Sequence, residues 1–297
     1  MPPLATFWTD CVAKRARGAL SVSKSAGNPE FMSRALWKGV QRLCRGALLP
    51  APDSMKFAVV LAALVFASAH AAAQEEAWNA GRIFVPASLS QTGEACVSKI
   101  GGKCMDRIAE GRHPVILFMH GCDATQRPKA FLDLGAIVIQ PNSFWQGERC
   151  TLNVAEMAKL LAGRANDLAD AARRLQAAPW ADPKRLVLAG YSQGGVAAAL
   201  YEGPEFKARI VIAWPCQLRP TGPSGPETGV RGKGPVLAIQ SRNDALYERL
   251  GIEGDCGPEI SGRPGSRSVL IPGNIREIMN HPAMREAIAV FMPEVLR

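Results

Sequence analysis

The stretch Arg185-Leu-Val-Leu-Ala-Gly-Tyr-Ser-Gln-Gly-Gly-Val-Ala-Ala-Ala-Leu200 decides the fold. Its apolar run over residues 186–189 is typical of a buried strand, and the small residues over 196–200 favour a helix. The glycines two places before and two places after Ser192 leave room for a sharp turn between them. The pattern therefore predicts strand, turn and helix, with the Ser192 hydroxyl presented as a nucleophile at a helix N-terminus, where the amides favour developing negative charge.

Further apolar runs along the chain predict the other strands of the same sheet. A run without alternation is typical of a strand that is buried on both faces of a parallel sheet. Residues 153–178 carry apolar side chains three or four apart, which predicts a crossover helix with Asn153 as its N-cap and Pro179 as its stop. The predicted strands are 82–86, 114–119, 134–139, 186–189, 209–213, 235–240 and 268–271, and a last helix is predicted over 283–292.

Two polar residues beyond Ser192 complete a possible catalytic set. Asp244 follows the strand predicted over 235–240, whereas the competing Asp255 lies in a Gly/Cys/Pro loop that no strand precedes. We therefore prefer Asp244 as the acid. His281 is the only histidine after Ser192 and lies at the start of the last predicted helix. Ser192, Asp244 and His281 are therefore the candidate nucleophile, acid and base.

The chain resembles the α/β-hydrolase family, and within it the dienelactone-hydrolase-like and small secreted esterase branches, over most of residues 80–297. The resemblance implies an α/β-hydrolase fold, with a mostly parallel central sheet and helices on both faces. It also implies a catalytic triad of Ser192, Asp244 and His281, because the order of these residues in the chain matches that of the family. Many dienelactone hydrolases carry cysteine at the turn, so Ser192 moves the prediction towards a secreted serine carboxylesterase.

The resemblance also implies the position of the oxyanion hole. In this family a His-Gly dipeptide after an inner strand marks the loop that donates one amide, and His120-Gly121 occupies that place here. The implied donors are the backbone N–H groups of Cys122 and Gln193. We expect His120 itself to be a structural residue that fixes the turn.

Aromatic residues near the strand ends are candidates for the walls of a substrate pocket. They are Phe144, Trp145, Tyr191 and Trp214. The Gly/Pro-rich loop over residues 219–234 has no capacity to fold as a lid, and no other segment is long enough for a large cap domain. We therefore expect a shallow, open site that suits bulky or polymeric esters.

Six cysteines follow the leader, an even number that suits an oxidising compartment. Cys96 and Cys104, which are close in the chain, flank a short loop, and this loop is also expected to form a hairpin with the first predicted strand. Buried free thiols remain an alternative, since cysteine packs as a small apolar residue. No spacing indicates a metal site. The expected disulfides are Cys96 with Cys104, Cys122 with Cys150, and Cys216 with Cys256.

The segment over residues 55–73 has the pattern of a secretory signal peptide. It begins Met55-Lys56, continues through an apolar centre, and offers small residues for cleavage after Ala71 or Ala73. We expect residues 1–54 to be a non-native or disordered extension and 74–297 to be the hydrolase domain, secreted or periplasmic. An uncleaved membrane anchor is the alternative, although a membrane span needs roughly 20 apolar residues and this apolar stretch is shorter. After cleavage, no stable membrane insertion is expected.

The formal net charge of +9 does not indicate a nucleic-acid partner, because of where the charges lie in the chain. Residues 1–73 hold nine Lys/Arg and three Asp/Glu, so most of the excess lies in the leader. No stripe of basic and aromatic residues occurs, as a nucleic-acid interface would need. We expect a monomer.

The sequence thus predicts an enzyme that cleaves carboxylic esters through an acyl-enzyme intermediate, with no cofactor. An acyltransferase would use the same triad, and a peptidase of this fold usually carries large extra domains. A catalytically silent binding protein is the non-enzyme alternative, and such proteins have usually lost a triad residue.

Overall fold

The strands that the structure describes form one sheet of eight. The computed structural model describes residues 72–122, 128–144, 154–217, 229–250, 254–273 and 278–296. The strands are β1 (Arg82–Val85), β2 (Cys96–Lys99), β3 (His113–Met119), β4 (Ile137–Gln140), β5 (Ala181–Tyr191), β6 (Ala208–Ile212), β7 (Val236–Ser241) and β8 (Arg267–Ile271).

The strands follow the order β2-β1-β4-β3-β5-β6-β7-β8 across the sheet. All neighbours from β4 to β8 are parallel, whereas β1 is antiparallel both to β2 and to β4. At the centre, β3 pairs with β5, and Met119 lies opposite Gly190. These pairings confirm the predicted mostly parallel sheet and the predicted hairpin at its start.

Helices connect the parallel strands, and the longest of them joins β4 to β5. Leu168, Ala172 and Leu175 on its inner face are buried, as the spacing of the apolar residues predicted. The predicted N-cap Asn153 lies outside the described residues. In the part of the chain that is described, the α-helices are α1 (72–79), α2 (Lys129–Leu132), α3 (Val154–Ala177), α4 (Gln193–Leu200), α5 (Ala245–Leu250), α6 (Gly257–Ile260) and α7 (Pro282–Leu296).

The two faces of the sheet are covered by different helices. On one face, Ile116 and Phe118 of β3 pack in a cluster that includes Phe291 of α7. On the other face, Leu117 of the same strand packs in a cluster that includes Leu168 of α3. Because successive side chains of a strand point to opposite faces, an unbroken apolar run supplies both cores. The prediction of helices on both faces is confirmed.

Some predicted boundaries were wrong. The strand predicted over residues 134–139 begins only at Ile137, because Leu134 and Gly135 end the turn that follows α2. Gly135 has a φ of +67°, which lies in the left-handed region rather than in that of a strand. Helix α4 begins earlier than predicted, at Gln193, since glycines in its first turn weaken the helical pattern.

Two of the three expected disulfides lie wholly within the described residues, and both are confirmed. Cys96 is bonded to Cys104, and the bond ties β2 to the loop that follows it. Cys216 is bonded to Cys256, with 5.2 Å between the Cα atoms, and joins the segments after β6 and before α6. Cys122 is also disulfide-bonded; its expected partner Cys150 lies outside the described residues. Bonded cysteines of this kind favour an oxidising compartment.

Helix α1, at the start of the described chain, is attached to the long helix α3. Glu75 forms an ion pair with Arg174 of α3, and the Arg174 guanidinium lies 5.3 Å from the Trp78 ring centroid. Residues 1–71, which include most of the predicted signal peptide, lie outside the described residues. Among the helices that are described, none has the length and apolar character needed to cross a bilayer.

Candidate active site

The predicted site residues follow strands that end along one edge of the sheet. Cys122 comes after β3, Ser192 after β5 and Asp244 after β7, while His281 comes between β8 and α7. Carboxyl ends of parallel strands meet at the same edge, where loops of an α/β sheet bind ligands. Ser192 is central there, because β5 lies between β3 and β6.

The turn at Ser192 has a strained backbone. Its φ of 52° and ψ of −120° are those of the first central position of a type II′ turn, which glycine dominates. The Ser192 N–H donates to the Ile212 carbonyl at 2.8 Å, and the Ser192 carbonyl accepts from the Val196 N–H at 3.1 Å. The side chain makes no capping hydrogen bond to α4. The hydroxyl of this half-buried residue is therefore not used to hold the helix.

The flanking glycines are required by close backbone contacts. A Cβ on Gly190 would lie 2.1 Å from the Gly194 carbonyl oxygen. A Cβ on Gly194 would lie 2.0 Å from the carbonyl oxygen of Met119 and 2.4 Å from that of His120. Both glycines predicted to make room for the turn thus do so, and Gly194 lets α4 begin directly against the end of β3.

The strain at Ser192 leads to a prediction about stability. Ser192→Gly is expected to raise the free energy of unfolding by about 1 kcal/mol. Removing the Cβ relieves a strain on the order of 1 to 3 kcal/mol, and this gain outweighs the stability lost because glycine adds entropy to the unfolded chain. Ser192→Ala keeps the Cβ and is the matched control, with a change within about 0.5 kcal/mol. Urea unfolding measures the free energy of unfolding of both variants. Equal stability of the two would show that the backbone at residue 192 is not strained.

The two segments that carry the predicted oxyanion donors lie against each other. Gln193 is the first residue of α4, and the first amides of a helix have no acceptor within the helix. Cys122 comes directly after Gly121 at the end of β3, and its side chain is fixed by a disulfide. The contact of Gly194 with Met119 and His120 joins these segments.

His120 is a structural residue in its described contacts, as expected. It is fully buried, its Nε2 accepts from the Ser143 N–H at 3.2 Å, and its Nδ1 donates to the Gly121 carbonyl at 2.6 Å. The Phe144 ring meets it edge to face, with 5.0 Å between ring centroids. With both ring nitrogens engaged, His120 fixes the 120–122 turn and is not available as a base.

The two candidate acids have different surroundings. The Asp255 carboxylate accepts hydrogen bonds from the Ser268 hydroxyl at 2.6 Å and from the Gly257 N–H at 2.7 Å, and these bonds lower its pKa. Asp244 is half-buried in the turn after β7, and its carbonyl accepts from the Glu248 N–H at 3.0 Å, so it begins α5. Asp255 is thus occupied as a local cap, which favours Asp244.

His281 begins helix α7. Its Nδ1 accepts from the Ala283 N–H at 3.2 Å, and its carbonyl accepts from the Met284 N–H at 3.1 Å. Within the described residues, no hydrogen bond joins His281 to Ser192 or to Asp244. A neutral imidazole with this contact carries its proton on Nε2. The structure therefore brings the three residues to one edge of the sheet but does not join them by hydrogen bonds.

Sequence reasoning missed a buried arginine beside the turn. The Arg164 side chain of α3 is only 1% exposed. Its Nη1 donates to Gln193 Oε1 at 3.2 Å, its Nη2 donates to the His120 carbonyl, and its guanidinium lies 5.0 Å from the Phe144 ring centroid. Burial lowers the pKa of Arg164 to about 9, opposed by the charge of Asp167.

Asp167, one turn further along α3, also has a shifted pKa. Burial raises the pKa of its carboxyl to about 6, and the Ser143 hydroxyl and the Arg164 charge only partly oppose this. A raised pKa in the folded state means that the charged form opposes folding. The cost is absent below about pH 4, where folded and unfolded states are both protonated, and is fully present above about pH 6.

This leads to a prediction about pH. Asp167→Asn, which mimics the protonated acid, is expected to be more stable than the wild type at pH 8 by on the order of 1 to 3 kcal/mol. The difference should shrink as the pH falls through 6 towards 4. Urea unfolding of both proteins at pH 8.0 and at pH 4.5 measures this difference in the free energy of unfolding. A difference that is the same at both pH values would contradict the raised pKa of Asp167.

The aromatic residues predicted to form the walls of a substrate pocket pack in different parts of the molecule. Phe144 is 6% exposed and packs between His120 and Arg164. Trp214 is 7% exposed and belongs to the apolar cluster beside α4, whereas Tyr191 is partly buried against the opposite core. Trp145 lies outside the described residues. Local packing accounts for the described contacts of Phe144 and Trp214, and the role of all four as pocket walls stays a prediction.

No group of three or more His, Cys, Asp or Glu side chains that could hold a metal ion occurs in the described ranges. The other described histidines are both engaged: His120 as above, and His113 through an Nε2 contact of 2.8 Å with the Ala109 carbonyl. His281 is therefore the described histidine whose Nε2 has no hydrogen-bond partner among these residues.

Comparison with known proteins gives likenesses in structure only. No family model and no curated protein matches the sequence. A cold-adapted esterase from an Arctic intertidal metagenomic library aligns at 15% identity and a TM-score of 0.45, over 68% of this chain and 88% of that one. The phospholipase/carboxylesterase of Dyadobacter fermentans aligns at 11% identity and a TM-score of 0.43, over 61% of this chain and 90% of that one. Acetyl xylan esterase 1 of Thermoanaerobacterium aligns at 16% identity and a TM-score of 0.43, over 64% of this chain and 77% of that one.

Proposed function

We propose that the protein is a secreted serine hydrolase that cleaves carboxylic esters, with Ser192 as nucleophile, His281 as base and Asp244 as the acid that orients it. The observation that carries the proposal is the strained turn at Ser192. A side chain in a conformation that disfavours every residue but glycine costs stability, and proteins retain such strain mainly at functional sites. The bonded cysteines support export.

The chemistry is acyl transfer in two steps. His281 Nε2 takes the proton of the Ser192 hydroxyl as its oxygen attacks the ester carbonyl carbon, and Asp244 stabilises the imidazolium. The Cys122 and Gln193 amides receive the negative charge that develops on the carbonyl oxygen. His281 returns the proton to the leaving alcohol, and a water molecule then repeats the sequence on the acyl-enzyme and releases the acid.

This mechanism requires a different contact for the imidazole of His281. A base that acts through Nε2 must carry its own proton on Nδ1 and donate it to the acid. In the structure Nδ1 accepts from the Ala283 N–H instead. The catalytic state therefore exchanges this contact for one with Asp244. The exchange is local, since His281 is half-buried and precedes the first turn of α7.

An acyltransferase is the second candidate, because the same residues would serve an alcohol acceptor in place of water. A binding protein of the same fold is disfavoured, because such proteins have usually lost a triad residue and this chain carries Ser192, Asp244 and His281. The substrate class proposed is a carboxylic ester, bulky or polymeric, because the sequence offers no segment for a large cap.

The test uses the full chain produced in an oxidising compartment and short-chain p-nitrophenyl esters. The proposal expects saturable release of the phenol and, in equal amount, of the free carboxylic acid. Adding a primary alcohol separates the two candidates, because an acyltransferase would divert most of the acyl group to the new ester. A folded protein that releases neither product from any ester of two to eight acyl carbons would contradict both.

A further inference from the structure

Arg164 contacts both segments that carry the predicted oxyanion donors. Its Nη2 donates to the carbonyl of His120, two residues before Cys122. Its Nη1 donates to the side chain of Gln193, whose own backbone N–H is the other predicted donor. One guanidinium therefore joins the end of β3 to the first residue of α4.

The remaining surroundings fix the guanidinium in that place. The Phe144 ring lies beneath it, and the same ring packs edge to face on His120. His120 in turn accepts the Ser143 N–H, which holds the turn after β4. Three strand ends thus meet around one buried cation on α3. A planar group with five donors suits this bridging, and an ammonium group would not replace it.

The cost of burying Arg164 also calls for a reason. Its described hydrogen bonds go to neutral groups, and Asp167 acts on it only through its charge. Removing a cation from water without a hydrogen-bonded carboxylate is expensive. An apolar residue on this face of α3 would fill the core at lower cost, so stability alone does not account for an arginine here.

We propose that Arg164 is a positioning residue for the oxyanion hole, which holds the Cys122 and Gln193 amides in register by tying the 120–122 segment to the start of α4. The inference rests on the proposed function, since it assigns a role within that site. Amides of an oxyanion hole stabilise charge only when they are fixed before the reaction, and displacement of about 1 Å can cost on the order of 100-fold in rate.

A second buried arginine provides a matched control. Arg209 in β6 has no measurable exposure, and its guanidinium donates to the carbonyls of Lys233 at 2.6 Å and of Tyr201 at 3.0 Å. It lies near the amino end of its strand, away from the edge that carries Ser192. Its loss removes an equally buried cation from a place that the proposed site does not use.

The experiment compares Arg164→Met, Arg164→Lys and Arg209→Met with the wild type. Active serines are counted with a p-nitrophenyl phosphonate, and kcat and KM for an aryl ester are expressed per counted serine. We expect Arg164→Met to lower kcat per serine by about 10- to 100-fold with KM changed by less than about threefold. Arg164→Lys should recover only part, and Arg209→Met should lower the melting temperature with kcat per serine unchanged.

Each other outcome contradicts the inference. Unchanged kcat per serine in Arg164→Met, an equal loss in Arg209→Met, or full recovery by Arg164→Lys would show a structural or purely electrostatic role. If Arg164→Met does not fold, Gln193→Met removes the acceptor while it keeps the backbone amide, and the same loss in kcat is expected. A wild type without countable serine would overturn the proposed function itself, whereas an active wild type with an unaffected variant overturns only the role of Arg164.

Discussion

Replacing either Ser192 or His281 with alanine is expected to lower kcat/KM for ester hydrolysis by about 10⁴- to 10⁶-fold. Ser192 supplies the oxygen that bonds to the acyl carbon, and His281 removes its proton. Because the two residues act as one unit, the double variant should lose little more than either single variant. Initial rates with p-nitrophenyl acetate, measured on folded variants, give the three values.

The control for this prediction is the stability of the variants. Ser192→Ala keeps the strained turn and should unfold at the urea concentration of the wild type. His281→Ala loses the contact with the Ala283 N–H at the start of α7 and should be less stable by about 1 kcal/mol. Additive losses in the double variant, or more than about a tenth of wild-type activity in either single variant, would contradict the assignment.

Replacing Asp244 with asparagine is expected to lower kcat by about 10⁴-fold, with the fold intact. An amide can still hydrogen-bond to His281, but it favours the wrong tautomer and does not stabilise the imidazolium. The same change at Asp255 is the matched control. Its carboxylate caps α6 through the Gly257 N–H and holds the Ser268 hydroxyl, so its loss should affect stability instead of rate.

The two variants separate on two measurements, kcat and the urea midpoint. Asp244→Asn should leave the midpoint near that of the wild type, whereas Asp255→Asn should lower the free energy of unfolding by about 1 kcal/mol with kcat within about threefold. The opposite pattern, with activity lost only in Asp255→Asn, would assign the acid to the loop before α6 and would require a different position for the base.

Most of the fold could be predicted from local pattern. Unbroken apolar runs lie at 115–119 in β3, 186–189 in β5, 210–212 in β6 and 236–239 in β7, and such runs are the sign of strands buried on both faces. The order of the strands across the sheet carries no such local sign. The start of β4 was missed because Leu134 continues the apolar pattern, while Gly135 turns the chain out of the strand region.

The sharp turn at Ser192 was predictable from the spacing of its glycines. Gly190 and Gly194 mark the turn because neither position has room for a Cβ. The Asp255 cap could not be foreseen, since its partner Ser268 lies 13 residues away in the chain.

Arg164 did leave a sign in the sequence. It lies three residues after Leu161 and four before Leu168, on the apolar stripe of the long helix, where a charge needs a buried partner. Its partners His120 and Gln193 are 44 and 29 residues distant in the chain, so their identity required the structure.

The central claim is that Ser192 is an activated nucleophile, and covalent labelling tests it most directly. The full chain, produced in an oxidising compartment, is treated with a fluorophosphonate at pH 8, digested and mapped by mass spectrometry. The account predicts one adduct, on Ser192, which is lost in His281→Ala although the serine remains. A folded protein that takes up no phosphonate, or takes it up at another residue, would contradict the account.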